Sequence, residues 1–197
     1  MTKQQRGLAT MERVLDAALD CFARTGVYAT RIEDLSGRAQ VSVGSLYHHF
    51  GGRERVAFLL YRRCMESLLG AVSAAVLRKK TARDGVRALV RSYLTWVAGN
   101  REAARYIYAA ASQTELVESW KGEMAQWKGA LVSPFVDWFQ GHIDAGRIVA
   151  LPPALMEVVV VGPPAEFCRR WLSGVPGLEL EAALKSLPDA VWRSIAR

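Results

Sequence analysis

Val43-Gly44-Ser45 and Tyr47-His48-His49 lie in the run TRIEDLSGRAQVSVGSLYHHFGGRE, residues 30–54. Their types suit contact with a nucleic-acid groove. Ser45 can donate to or accept from base edges, and Val43 can meet a thymine methyl. Gly44 has no side chain, so backbone there can approach bases or phosphate closely. Leu46 and Phe50, four residues apart, claim the inner face of a helix and turn Tyr47 and His48 outward. An exposed Tyr-His-His cluster without a partner is an unusual helix surface. Phosphate contacts would fix the register. Candidates are Thr30, Arg31, Ser42, Tyr47, His49, and Arg53 at the start of a helix, where anions are favoured. Each of these reads equally well as a solvated side chain. Lys3 and Arg6 form a basic arm that either reaches an adjacent minor groove or is disordered.

These residues need helices to hold them. Met11, Val14, Leu15, Ala18, Leu19 and Phe22 recur at three- and four-residue steps, and Gly26 closes that helix. Thr30 and Glu33 form a capping box for a second helix with Ile32, Leu35 and Ala39 inward. Val41-Ser42 is the turn, Ser42 caps a third helix, and Gly51-Gly52 ends it. One long helix follows from Arg53 to about Lys80. Further helices are expected over 84–98, 102–111, 119–145 with a bend at Pro134, 153–173 interrupted by Gly162-Pro163-Pro164, and 179–195. No segment alternates with period two. The chain reads as all-α, with about nine helices.

Bulk properties narrow the partners. Half of the 197 residues are hydrophobic (51%) and 23% are charged, so the chain can bury a large core and is not of disordered composition. Residues 1–80 carry 13 Lys and Arg against 7 Asp and Glu, or +6, while residues 81–197 carry only +1. A basic first part points to a polyanion at that end. Cys21, Cys64 and Cys168 are far apart and odd in number, which argues against structural zinc and a disulfide framework. No signal peptide or spanning segment is seen, so a cytoplasmic location is expected.

Residues 10–55 resemble the DNA-binding domain of TetR-type transcriptional regulators. The resemblance rests on Leu35-Ser36, Ala39-Gln40-Val41-Ser42, Gly44-Ser45-Leu46-Tyr47-His48-His49-Phe50 and Arg53-Glu54. Three positions depart from the family pattern. Gln40 stands for the turn glycine, Val43 for a common lysine, and Gly52 for a polar cap. The resemblance implies a homodimer on a palindromic DNA operator, with a variable C-terminal helical domain that binds a small-molecule effector and dimerises. The corresponding division is a helix-turn-helix, DNA-binding domain over 1–52 and an effector-binding and dimerisation domain over 53–197. Dimerisation is sensible on its own account, since one short helix reads few base pairs and two half-sites roughly 34–36 Å apart supply specificity.

The C-terminal part is rich in tryptophan. Trp120, Met124, Trp127, Leu131, Phe135 and Trp138 share a helical face. Indoles can line a cavity and offer an N–H to a ligand, although core packing is the plainer role for any one of them. Tyr93, Trp96, Arg105, Tyr106 and Tyr108 would complete the wall, giving a site for an apolar or aromatic effector. The dimer surface is expected on the last two helices, from Val158, Val161, Gly162, Phe167, Cys168, Trp171 and Leu172, then Leu184, Leu187, Val191 and Ile195. The long helix from Arg53 is expected to be the lever between head and pocket.

Two other functions fit fewer of these residues. A helical enzyme would need a nucleophile elbow, phosphate loop, metal triad or cofactor, and no such motif is present. His48 and His49 point apart on a helix, and the lone His142 reads as a surface residue. A non-specific architectural DNA-binding protein would bind with affinity set by salt and not by sequence. No cofactor is expected.

Overall fold

The computed structural model describes residues 2–197, the side chains of Lys3 and Gln126 excepted. The described residues form nine helices: α1 (Lys3–Thr25), α2 (Ile32–Ala39), α3 (Val43–Phe50), α4 (Arg53–Val76), α5 (Ala82–Gly99), α6 (Arg101–Ala111), α7 (Thr114–Asp144), α8 (Pro153–Leu172) and α9 (Leu180–Ile195). The only extended pairing among them is one isolated bridge, Ile148 to Ala196. The all-α architecture is as the residue pattern requires.

Two compact units divide the chain. The first comprises residues up to Met65 together with Glu102–Lys121, and the second comprises Glu66–Arg101 and Gly122–Arg197. Helices α4 and α7 each give residues to both. This partition does not coincide with a break after residue 52, because α6 and the start of α7 are built into the N-terminal unit.

In the first unit, α1 buries Val14, Leu15, Ala18 and Phe22. Against them lie Leu35 and Ala39 of α2, Leu46 and Phe50 of α3, and Val56, Ala57 and Leu60 of α4, all buried. Charge braces tie the exterior. Arg63 on α4 reaches Glu12 and Asp16 on α1 at 2.9 and 2.8 Å, and Arg38 on α2 pairs with Asp20. Tyr106 on α6 stacks on Phe22 with ring centres 5.9 Å apart, and its buried hydroxyl donates to the Ala57 carbonyl at 2.6 Å. Burial pushes that phenol's pKa well up, so it stays a donor.

Local chemistry explains two details of the turn region. Helix α2 starts after Arg31, one position later than the Thr30–Glu33 box implies. The Thr30 hydroxyl is turned inward, donating to the Gly26 carbonyl at 2.7 Å, and Asp34 instead accepts from the Arg31 N–H at 3.2 Å. Gln40 adopts the left-handed conformation, φ 54° and ψ 48°, and no other non-glycine residue described has positive φ. That is the strain expected where a residue with a Cβ takes a glycine's place.

The second unit is organised on α5, which packs against α8 and α9, with α8 and α9 also in contact. Val86, Leu89, Val90, Leu94 and Val97 of α5 are buried. Asp189 on α9 holds Arg87 and Arg83 on α5 at 3.3 and 3.6 Å. A Cβ at Gly85 would sit 2.1 Å from the Trp138 indole, so that contact needs glycine.

Three expectations are corrected here. Helix α4 ends at Val76 and not near Lys80, because the Lys79 N–H closes a turn on the Val76 carbonyl and Thr81 caps α5 through Asp84. Helix α8 runs unbroken through Gly162-Pro163-Pro164. Its buried stripe Met156, Val160, Pro164, Cys168 repeats every four residues across the prolines, and packing on both sides outweighs the lost backbone hydrogen bonds. His142 is buried, 7% exposed, and not a surface residue. Its Nδ1 accepts from Arg147 at 3.1 Å, since arginine can only donate. Pro134 lies within α7, which continues through it as helix.

Two outcomes follow. Gln40→Gly relieves the left-handed strain and should stabilise the chain by about 1 kcal/mol, a rise in Tm of roughly 2–4 °C by calorimetry. Burial, reinforced by the Arg147 cation, lowers the His142 pKa below its usual 6.5. The folded chain therefore binds fewer protons there than the unfolded chain. This contribution is whole above about pH 6.5 and is lost as pH falls from there through the depressed folded value. Between about pH 7.5 and 5 the Tm should drop further for the parent chain than for His142→Gln.

Candidate nucleic-acid interface

Helix α3 forms because Ser42 can cap it. The Ser42 side chain accepts from the Ser45 N–H at 3.1 Å, and Gly51, at φ 75°, ends the helix. Leu46 and Phe50 anchor it in the core. The outer face then carries Gly44, Tyr47 and His48, with Val43 and Ser45 half-buried beside them. Tyr47 is 52% exposed, a large apolar ring left in water. Nothing lies within 4 Å of where a Gly44 Cβ would be. The chain's own packing gives no reason for glycine there, and glycine in a helix costs about 1 kcal/mol relative to alanine. Among the described residues no hydrogen bond ties down the Tyr47 or His48 tip, and the face can approach another surface closely.

The remaining candidates divide. Arg31 and Ser42 are exposed, each at the N-cap of one helix of the helix-turn-helix. His49 is half-buried, meets His48 edge-on, and approaches Gly7 of α1. Thr30 is 2% exposed and its hydroxyl is spent on Gly26 and Thr25. Arg53 donates to the Tyr28 and Thr30 carbonyls at 2.8 and 3.1 Å and pairs with Glu54 at 3.0 Å. Both residues therefore hold the 26–31 turn against the start of α4. Their work is to set the position of α2. Tyr28, 46% exposed beside that arginine, was missed, as a single tyrosine in a turn carries no periodic signal.

The aromatic set expected around an effector falls into both units. Arg105, Tyr106 and Trp120 belong to the first, and Tyr93, Trp96, Met124, Trp127, Leu131, Phe135 and Trp138 to the second. Trp120 packs on Phe58 and Tyr61 at 5.7 and 5.5 Å. Trp96 donates to Ser67 at 3.1 Å, and Trp127 to Glu66 at 2.8 Å. By contrast, the buried Trp120 N–H and the Gln113 Oε1 have no hydrogen-bond partner among the described residues. Gln113 is half-buried with its Oε1 shielded, which polarity alone does not mark in the sequence. Of the expected dimer residues, Cys168 and Val191 are buried in the second unit and belong to its own core. Val158 is 63% exposed, and Val161, Gly162, Phe167, Trp171, Leu184 and Leu187 are half-buried.

Burial pushes the Cys64 thiol up to about 11 and raises Cys21, which leaves both protonated and poorly nucleophilic at neutral pH. No group of His, Cys, Asp and Glu that could hold a metal ion occurs among the described residues. No helix described is long and apolar enough to cross a membrane.

Residues 14–58 match the family model for bacterial regulatory proteins of the tetR family. Over that segment, less than a quarter of its length, the chain is similar to tetR-family regulators. Its relatives include the transcriptional repressor KstR2 of Rhodococcus jostii, 28% identical over 123 residues. That match spans 55% of this chain and 60% of KstR2, less than two thirds of the relative's length. The transcriptional activator FasR of Mycolicibacterium smegmatis is 25% identical over 186 residues, 93% of this chain and 82% of FasR. A TetR family regulator from Marinobacter aquaeolei has the same fold, with a TM-score of 0.79 over 98% of each chain at 19% identity. The TetR-family match takes in α3 whole and ends inside α4.

Gly44→Ala should be no less stable in thermal melting and, where the expected DNA contact is made by this face, should lose about tenfold in affinity for duplex DNA by fluorescence anisotropy, about 1.4 kcal/mol.

Proposed function

We propose that the chain is a sequence-specific transcriptional repressor that binds a palindromic operator as a homodimer and is released by a small, largely apolar or aromatic effector. In this reading residues 1–52 bind DNA and residues 53–197 bind the effector and dimerise, in the cytoplasm. The observation that carries it is the outer face of α3, with Gly44 open to close approach and Tyr47 exposed. Val43, Ser45, Tyr47 and His48 read base edges, while Arg31, Ser42 and His49 contact phosphate. Thr30 and Arg53 support the contact from behind by fixing the turn.

Two copies are needed because eight residues of recognition helix reach only a few base pairs. Leu155 and Val158 are the most exposed apolar side chains of α8, and that helix with α9 supplies the dimer face. The effector reading is supported by the unpartnered Trp120 donor and Gln113 acceptor, since buried polar groups without partners are costly. A ligand acceptor would satisfy the Trp120 N–H, and a ligand donor the Gln113 oxygen. Release then follows from a ligand that favours a geometry unable to fit both half-sites. Helix α4 is not the sole element available to transmit that change. Helix α6 touches α1 through Tyr106 and Phe22 and touches α4 through Ala57, so a shift of α6 bears on the DNA-binding helices directly.

Selection of duplexes from a random pool tests this reading. A palindrome with half-sites about one helical turn apart, bound by two chains, is the expected result, and Tyr47→Ala should weaken its binding about tenfold or more while leaving the chain folded. Enrichment of no sequence, with affinity governed by salt alone, would replace the specific regulator with an architectural DNA-binding protein.

A further inference from the structure

A second site lies on the second unit, in a groove of about 640 Å³ between the end of α4 and the face of α5. That volume is in the range of small-molecule sites. Its floor is apolar and shallow, made by Ala71, Ala74 and Ala75 of α4 and Ala88 of α5. Its rim carries three cations, Arg78, Lys79 and Arg91, and no acidic residue lines it. Ser92 and Thr95 add hydroxyls.

The neighbouring arginines show what is different here. Arg83, Arg87 and Arg91 follow at four-residue steps along one side of α5. The first two are held by Asp189 of α9. Arg91 has no ion pair among the described residues, and neither do Arg78 and Lys79. Three positive side chains thus converge on one concavity without internal neutralisation. Like charges brought together repel, and an anion between them removes that repulsion while accepting charge-assisted hydrogen bonds. Arginine forks match carboxylate and phosphate oxygens in pairs. The alanine floor lets an aliphatic body lie against the helices, since no side chain longer than a methyl projects from those four positions.

We infer that this groove binds an amphiphilic organic anion, a carboxylate or phosphate ester on a short aliphatic body, its head held by Arg78, Lys79 and Arg91 and its tail on the alanine floor. The site is distinct from the Trp120–Gln113 pair, which lies in the other unit. Binding is read without DNA, so the outcome is independent of the operator reading.

The test is calorimetric titration of the full-length chain with octanoate, octyl phosphate and octan-1-ol at low salt. Saturable binding of an anion is expected, with octan-1-ol not binding and affinity falling as salt screens the cations. Arg78→Glu/Arg91→Glu should weaken anion binding at least about tenfold, roughly 1.4 kcal/mol. Lys185→Glu, an equal kind of change at an exposed site on α9, should leave it unchanged. Ala88→Phe fills the floor without altering charge and should also abolish binding, which keeps the test decisive should the double variant not fold. Failure of both anions to bind, equal binding of octan-1-ol, or undiminished binding by the folded variants would overturn the inference.

Discussion

The seating of Leu46 and Phe50 in the core beneath α1 and α2 is the constraint on which the DNA-binding end depends. These side chains are 0% and 4% exposed, and burying each contributes roughly 1.5–3 kcal/mol relative to leaving it in water. A helix of eight residues is far too short to persist alone. It exists because that pair is buried, and the same pair decides which side faces out. Rotating α3 by one residue, about 100°, would drive Tyr47 inward and strip the core of its two anchors. The orientation of the outer face is therefore inherited from two buried residues.

Around this helix the chain spends polar groups on position. The Arg53 guanidinium gathers the carbonyls of Tyr28 and Thr30, and the Thr30 hydroxyl closes back on Gly26. These bonds, two of them part-buried, fix the path between α1 and α2. Arg38 with Asp20 and Arg63 with Glu12 and Asp16 do the same from outside. Arg53, Arg38 and Arg63 thereby spend charge on holding the frame, while Tyr47 on α3 stays exposed.

The sequence made the helices and the α3 face legible because both rest on periodicity and caps. Leu46 and Phe50 are four apart, Ser42 precedes them, and Gly51 follows. It did not reveal the roles of Thr30 and Arg53, since a threonine or arginine at a helix boundary looks the same whether it meets DNA or a neighbouring carbonyl. Nor did it show that Tyr106 and Trp120 belong with α1 and α4, because an aromatic stripe states that a face is buried without stating against what. Helix α8 illustrates the opposite case. Gly162-Pro163-Pro164 argues locally for a break, yet a four-residue stripe of buried side chains on both sides carries the helix through. His142 was misplaced for the same reason, as its burial comes from Trp138 and Arg147 and not from its own type.

The packing of α6 into the N-terminal unit gives the regulator its economy. One phenol, Tyr106, stacks on α1 and hydrogen-bonds to α4, so the helices that carry α3 share a core with a helix far along the chain. The central claim is that the Val43–His48 surface is where DNA is met. Amide hydrogen exchange with and without the selected duplex tests it most directly. The account predicts slowed exchange at the Ser42–Tyr47 amides of α3 and at Arg31, with α8 and α9 unaffected. Unchanged exchange across α3, with protection gathered elsewhere on the chain, would contradict it.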